Sequence, residues 1–529
     1  MKLRFAIFTV LMLAPAMGAG AQPVGDYDFT KGINPYLSSS NPAFLGAWKD
    51  GKISKVEVTG RKGNGDLVSL EKSNDDLEAQ AMTESFVRVS EKIAFYGTLD
   101  YTYFTGNNMG GQILMDPSYN PFNFLEATDT TRGVKNRETY RVAGAMGYSF
   151  NDRWTAGIKL DYEGGIQAKR RDPRFKNTWL DLNLAAGVRF AASEHNSFGM
   201  DLLYRRTIEQ VLGTTYGKKD NYYQFLTDKG GFYGVIETLN GNTPTLAQSE
   251  NRPILNTFYG AALQYSYTGR NKFFNEVSFL LRDGHYGSTG NSSPTFFEFG
   301  GMEFGYKGTA LLPSGSNLSK ISLDAGMKML NNAENSYNYV TTTGGSITTV
   351  EYTGQKSIFN ATDIDADLSY VFYQGMGSGR PTAEYGADVL FYMRTQKTNL
   401  YPYWREHNHM NIDATLWARR NFKAGKNGLL TPGVYGRFFM GSGVASKDGA
   451  ATTAKSKSLK SFDFWLNRQF EFDTATRAGG ELSLTYTRIF AKLTTYITIS
   501  DSFMTMFSAP QYLPGGNRNI ATVTVGCDF

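Results

Sequence analysis

Two clusters in this 529-residue sequence have residue types and spacing that could do chemistry. His407-Asn408-His409 sets two imidazoles two positions apart. On a strand, where successive side chains alternate, both rings project to one side, a pairing some transition metals accept. The other histidines, His195 and His285, fall in a turn and at a strand end, and no third ligand is identifiable, so no metal is assigned. The second cluster, Asp363-Ile364-Asp365-Ala366-Asp367, puts three carboxylates on one strand face. A calcium loop with this start needs Gly at its sixth position and Glu at its twelfth, where this sequence has Leu368 and Gln374. Like charges so close repel unless Lys, Arg, water or a cation neutralises them. Arg394, on the neighbouring candidate strand, is the expected partner, within a salt-bridge network lining a lumen.

Signatures of catalysis are missing. There is no G-x-S-x-G elbow, phosphate loop, dinucleotide fingerprint or H-E-x-x-H. The single cysteine, Cys527, makes neither an internal disulfide nor a cysteine-built metal site. The expectation is therefore a protein that is not an enzyme, with no catalytic residues and no cofactor.

The elements that carry these residues announce themselves by period-two alternation. From Trp154 to Lys169, Trp154, Ala156, Ile158, Leu160 and Tyr162 alternate with Thr155, Gly157, Lys159, Asp161 and Glu163. One face is apolar and the other charged. Leu180 to Phe190 repeats the pattern against Asp181, Asn183 and Arg189, and Ile93 to Tyr103 does so again. Several runs are about twice the ~5–6 residues usual in soluble sheets, and a tilted strand needs roughly 9–11 to cross a bilayer.

Eighteen candidate strands begin near 53, 79, 93, 138, 154, 178, 197, 256, 272, 295, 319, 357, 382, 408, 429, 478, 491 and 518. Gaps after even-numbered strands are short, as at Asn151-Asp152-Arg153; those after odd-numbered ones are often long, notably 105–137, 212–255, 332–356 and 443–477. Short periplasmic turns alternating with long outer loops identify an antiparallel transmembrane β-barrel of 16–18 strands, 18 favoured. The first strand and the 295–308 region carry the weakest patterns; a bulge there, or a strand lost elsewhere, makes the count 16. Lys159, Asp161, Glu163, Arg189, Asp363, Asp365, Asp367 and Arg394 are then expected to line the lumen. A lumen of this width needs water, a plug or inward-folded loops to fill it. The 212–255 loop is a candidate.

Composition agrees. Aromatic residues make up 14% and there are 57 Gly against 16 Pro, which suits strands and turns. Mean hydropathy is −0.36, a value that misses an apolar face hidden in alternate residues. Lys2 and Arg4, the apolar run Phe5–Leu13 and Ala19-Gly20-Ala21 make a signal peptide over 1–21. Residues 22–50 form a short periplasmic or lumenal segment, and 51–529 the barrel. The net charge of +5 is too small to imply nucleic acid as a partner.

Three resemblances follow. The final strand alternates through Val523 and Val525 and ends on Phe529. It resembles the signal read by the outer-membrane barrel assembly machinery, which implies that machinery and outer-membrane lipid as partners. The layout as a whole resembles large, mostly uncharacterised outer-membrane barrels of anaerobic Gram-negative bacteria. Asn41-Pro42-Ala43, just after the signal peptide, is similar to the hatch of the long-chain fatty-acid transporter family, whose usual barrel has fewer strands. A plain turn explains Asn-Pro equally well. The expected function is passage of a small solute across the outer membrane. The alternative is a structural or docking component of an envelope secretion or uptake complex with protein partners, and a membrane-embedded hydrolase comes third.

Overall fold

The computed structural model describes residues 26–49, 51–116, 119–216, 223–239, 245–246, 252–288, 293–341, 348–376, 380–452, 460–490 and 493–529. The signal peptide expected over 1–21 lies outside the described residues. Eighteen long strands form one closed antiparallel barrel. They are β1 (Lys52–Asn64), β2 (Asp75–Arg88), β3 (Ile93–Met109), β4 (Gly133–Ser149), β5 (Trp154–Lys169) and β6 (Arg174–Ala191). Next come β7 (Asn196–Thr214), β8 (Pro253–Thr268), β9 (Lys272–Gly287), β10 (Thr295–Ser314), β11 (Asn317–Thr341) and β12 (Thr348–Gln374). The last are β13 (Ala383–Leu400), β14 (Tyr403–Arg420), β15 (Gly428–Ala450), β16 (Arg477–Ile489), β17 (Thr494–Met506) and β18 (Asn517–Asp528). Each pairs with its neighbours in sequence, and β1 closes on β18 from Lys55↔Asp528 to Asn64↔Asn519. Closure leaves no unpaired edge, which the hydrocarbon of a membrane requires.

Alternation sorts the side chains as their chemistry dictates. On β5, Trp154, Ile158, Leu160, Tyr162 and Ile166 are exposed on the outer face, while Thr155, Gly157, Asp161, Gln167 and Lys169 are buried inside. The outer face continues through Leu202, Leu263, Leu416 and Leu482, each more than 60% exposed. That apolar band belongs in lipid. Aromatic pairs such as Trp154–Phe190, at 4.7 Å between ring centres, mark the rim of the short turns. Phe529 exchanges both backbone hydrogen bonds with Ser54 at 2.9 Å, and Lys52 Nζ lies 4.6 Å over its ring, so the last residue stitches the closing seam.

Two weak patterns are full strands: β1 over its whole length, and β10, whose Phe297 and Phe299 are buried. Two segments expected as loops are shorter than thought. β11 runs on to Thr341 and β12 starts at Thr348, cutting 332–356 to a tip, and β15 extends to Ala450. These strands continue outward past any bilayer, because a hairpin in water goes on pairing while its turn is deferred.

Candidate lumenal site

Residues 26–49 stop the barrel at its periplasmic end. A short helix, α1 (Tyr27–Gly32), is capped by Asp26, whose carboxylate accepts from the Phe29 N–H at 3.1 Å. A two-turn 3₁₀ helix follows at Pro42–Ala47. Asn41 caps it, accepting from the Ala43 N–H at 3.0 Å, with Pro42 at the first position where no N–H is needed. The Asn-Pro-Ala sequence is thus a helix start. The same Asn41 amide donates to Val188 O at 3.0 Å and Gln264 Oε1 at 2.9 Å, fixing the segment to the wall. Ser39 Oγ donates to Glu276 at 2.6 Å and Lys31 pairs with Glu84 at 2.8 Å. Phe44 and Trp48 are fully buried, Phe44 meeting Phe274 edge-on at 5.5 Å with Arg189 5.8 Å over its ring. Glycines open the seat: a Cβ on Gly157 would stand 2.5 Å from Ala43 N, and one on Gly187 would collide with the Asn41 amide.

The outer end is stopped by three long loops. Asn123–Glu126, Gln224–Asp228, Tyr233–Thr238 and Lys460–Ser461 form a four-stranded inner sheet. Helix α2 (Asp463–Thr474) lies beside it. The 212–255 loop does fold inward. That 110–132 and 451–476 join it was not anticipated, because their strands are only 2–4 residues long. The sheet's apolar side (Phe124, Phe225) packs into one cluster with inward wall residues Phe175, Val211, Ile254, Tyr286, Phe297 and Phe359. Polar ties hold its rim. Lys169 pairs with Glu126 at 2.5 Å, both side chains 1% exposed. Arg405, 2% exposed, donates to Gly231 O at 3.0 Å, Ser461 Oγ at 2.7 Å and Asp448 at 2.7 Å. Such a cation stays buried because all its donors are used.

Between the stoppers the wall is charged and paired across strands: Arg141–Asp161 at 2.6 Å, Arg205–Asp181 at 2.7 Å and Arg394–Asp363 at 3.5 Å. The expected Arg394 partnership forms, but with Asp363 alone. Asp365 and Asp367 face the same way and are exposed within the lumen, opposite Gly326 and Asp324 on β11. Lys159 and Glu163 line the wall beside Asp161. Arg189 sits lower, donating to Ser197 Oγ at 2.7 Å. Val523 and Val525, on β18, face outward.

The histidine pair opens onto a cavity of about 230 Å³ between the inner sheet and β12–β14. His407 Nδ1 donates to Ala445 O at 2.6 Å, which leaves its Nε2 to accept from His409 Nδ1 at 3.3 Å. His409 Nε2 then faces Asp473 at 4.0 Å with no proton of its own to give. Burial pushes the Asp473 carboxyl up to about 7, and Glu71 on the same cavity is also raised by burial. Asp228 is raised to about 6 by burial, against the N–H groups of Gly230 (2.8 Å) and Tyr233 (3.1 Å) that it accepts from. Among the described residues no three His, Cys, Asp or Glu converge as a metal would need. Sequence reasoning missed Phe232, Arg405 and Asp473. The Gly230-Gly231 pair inside a long loop was the available signal for a built turn.

A model for a family of unknown function matches residues 42–529. No curated protein matches the chain. Among solved structures it is similar to the ferric preacinetobactin receptor of Acinetobacter baumannii, at 7% identity over 91% of this chain and 80% of that one, with a TM-score of 0.40. The ferric-catecholate import receptor Fiu of Escherichia coli, in its open form, gives 9% identity, 90% and 82% coverage and a TM-score of 0.38. The iron transporter FrpB of Neisseria meningitidis gives 7%, 92% and 84%, and 0.39. None of these three is a long-chain fatty-acid transporter. The hatch likeness is confined to Asn41-Pro42-Ala43, since eighteen strands exceed that family's usual barrel.

Proposed function

The chain belongs to that family, DUF6850, and we propose that it is a gated passage for a small solute across the outer membrane. The observation that carries this reading is a wide, charged lumen stopped at each end by the chain's own segments rather than packed solid. A purely structural barrel has no use for two separate stoppers with a polar chamber between them. The stoppers differ in kind. The outer one is a sheet assembled from several loops and continuous with the wall cluster, whereas the inner one is a single segment, packed through Tyr27, Leu37, Leu45 and Trp48 and tied by Lys31, Ser39 and Asn41. In this reading residues 26–49, one segment carried by no barrel strand on its N-terminal side among the described residues, are the part that yields first. In this reading Asp161, Glu163, Asp363 and Arg394 line the path, outer-membrane lipid covers the apolar band, and the assembly machinery reads Val523, Val525 and Phe529 of the last strand.

Liposome swelling tests the proposal. Protein lacking residues 26–49 should admit small neutral solutes about tenfold faster or more than the full chain. Equal exclusion by both would contradict it.

One observation favours the second reading. The β11–β12 hairpin, of 25- and 27-residue strands, stands clear of the membrane and exposes Tyr339, Val340 and Tyr352. An envelope partner docking on that arm should co-purify in fixed ratio and be lost when 335–354 is shortened.

A further inference from the structure

We propose that the cavity between the inner sheet and β12–β14 is a binding site for a neutral polyhydroxylated solute, a mono- or disaccharide. The inference rests on the reading of the barrel as a solute passage and names what passes.

The cavity has room for on the order of fifteen waters, taking one per 10–15 Å³. Its polar lining includes five planar amides, Gln112, Asn120, Asn123, Gln396 and Gln469, beside the carboxyls of Glu71, Asp228 and Asp473. An amide offers a donor and an acceptor side by side, which suits vicinal hydroxyls. Hydrogen-bonding capacity is left unused. Asn120, 4% exposed, has no partner for its Nδ2, and His409 Nε2 lies too far from Asp473 for a hydrogen bond.

Charge and metal chemistry point away from an anion and from a metal. Arg394 is the cation among the described lining residues, and Asp363 already faces it at 3.5 Å, so an anion gains little. The described residues bring no three metal ligands together.

Phe232 joins Phe122 and Phe359 on the apolar side and gives the clearest mark of a built site. The turn runs Gly230 (φ +121°), Gly231 (φ +66°), then Phe232 at φ +57°. Two glycines hold backbone conformations that suit them, and the third position, where glycine would be equally at ease, is a phenylalanine that lines the cavity. Strain of that sort persists where a side chain is needed. The turn is held rigid by the Asp228 carboxylate and by Phe232 O, which accepts from the Phe462 N–H at 3.0 Å.

The test uses the full chain in a detergent without a sugar headgroup. Saturation-transfer NMR and calorimetry follow glucose, maltose and cellobiose, with glucuronate and citrate as charged comparators. Saturable binding of a neutral sugar is expected, weakened about tenfold or more in Phe232→Gly and in Gln396→Leu. Phe232→Gly should melt no lower than the parent, since it relieves the backbone. No saturable neutral-sugar binding, preference for the anions, or parental affinity in both variants overturns the proposal. Binding is read without conduction. A chain that passes solutes but binds no sugar defeats this site alone, and one that binds sugar yet never passes solutes defeats the passage.

Discussion

Gly157 and Gly187 show how much one methyl group decides here. Each faces inward, and the 3₁₀ helix at Pro42–Ala47 rests on the space their missing side chains leave. Gly187→Leu should unseat residues 26–49 and speed their cleavage by an added protease about tenfold, as overpacking of 1–3 kcal/mol implies. The barrel's own melting temperature should hold; a fall in melting with no gain in cleavage would contradict the seat. Asp473 makes a second prediction. Burial holds its carboxyl at about 7, whereas an unfolded Asp titrates near ~3.9. The seating of α2 is therefore fully favoured below the unfolded value and is lost as pH rises through about 7. Glu71, Arg394, Arg477, His409 and Gln469 surround the group. Hydrogen exchange across Asp463–Thr474, corrected for its intrinsic pH dependence, should quicken from pH 5 to 8, and Asp473→Asn should flatten most of that slope. A slope of opposite sign would contradict the assignment.

At the scale of elements, the strands were legible and the stoppers were not. Every one of the eighteen expected starts falls in or beside an observed strand, because a strand between lipid and water must write its two faces into alternate residues. Asp161 inside and Leu160 outside is that rule at one point. The inner sheet obeys no such rule. Phe124 and Phe225 are buried by the wall on a few residues of backbone, too short a run for a period to show. Arg405 was unreadable for a related reason: its partners Gly231, Asp448 and Ser461 come from three distant segments. Arg405→Met should loosen the inner sheet by about 1–2 kcal/mol, the worth of hydrogen bonds to a charged group discounted for the half-exposed Asp448. Protection of Tyr233–Thr238 from hydrogen exchange should fall roughly tenfold while β5 to β9 keep theirs. Unchanged protection would show that the apolar cluster holds the sheet alone.

For the whole molecule, width is the governing fact. Eighteen strands enclose more space than their own side chains fill, and the chain fills it with material from both ends of the barrel. Both stoppers pack apolar side chains on the wall; the inner one is a single segment and the outer one several loops, so the proposed passage opens at the periplasmic side first and α2 and the inner sheet adjust after it. In the proposed passage the mixed charges of the wall set no strong ion preference.

Single-channel conductance in planar bilayers tests this most directly. The full chain should insert and stay mostly closed, with rare brief openings. Removal of residues 26–49 should raise the open fraction at least tenfold, and further trimming of the 223–239 hairpin should give the steady large conductance of an empty barrel. A full chain that conducts steadily at that large level, or a doubly trimmed barrel that still does not conduct, would contradict the account.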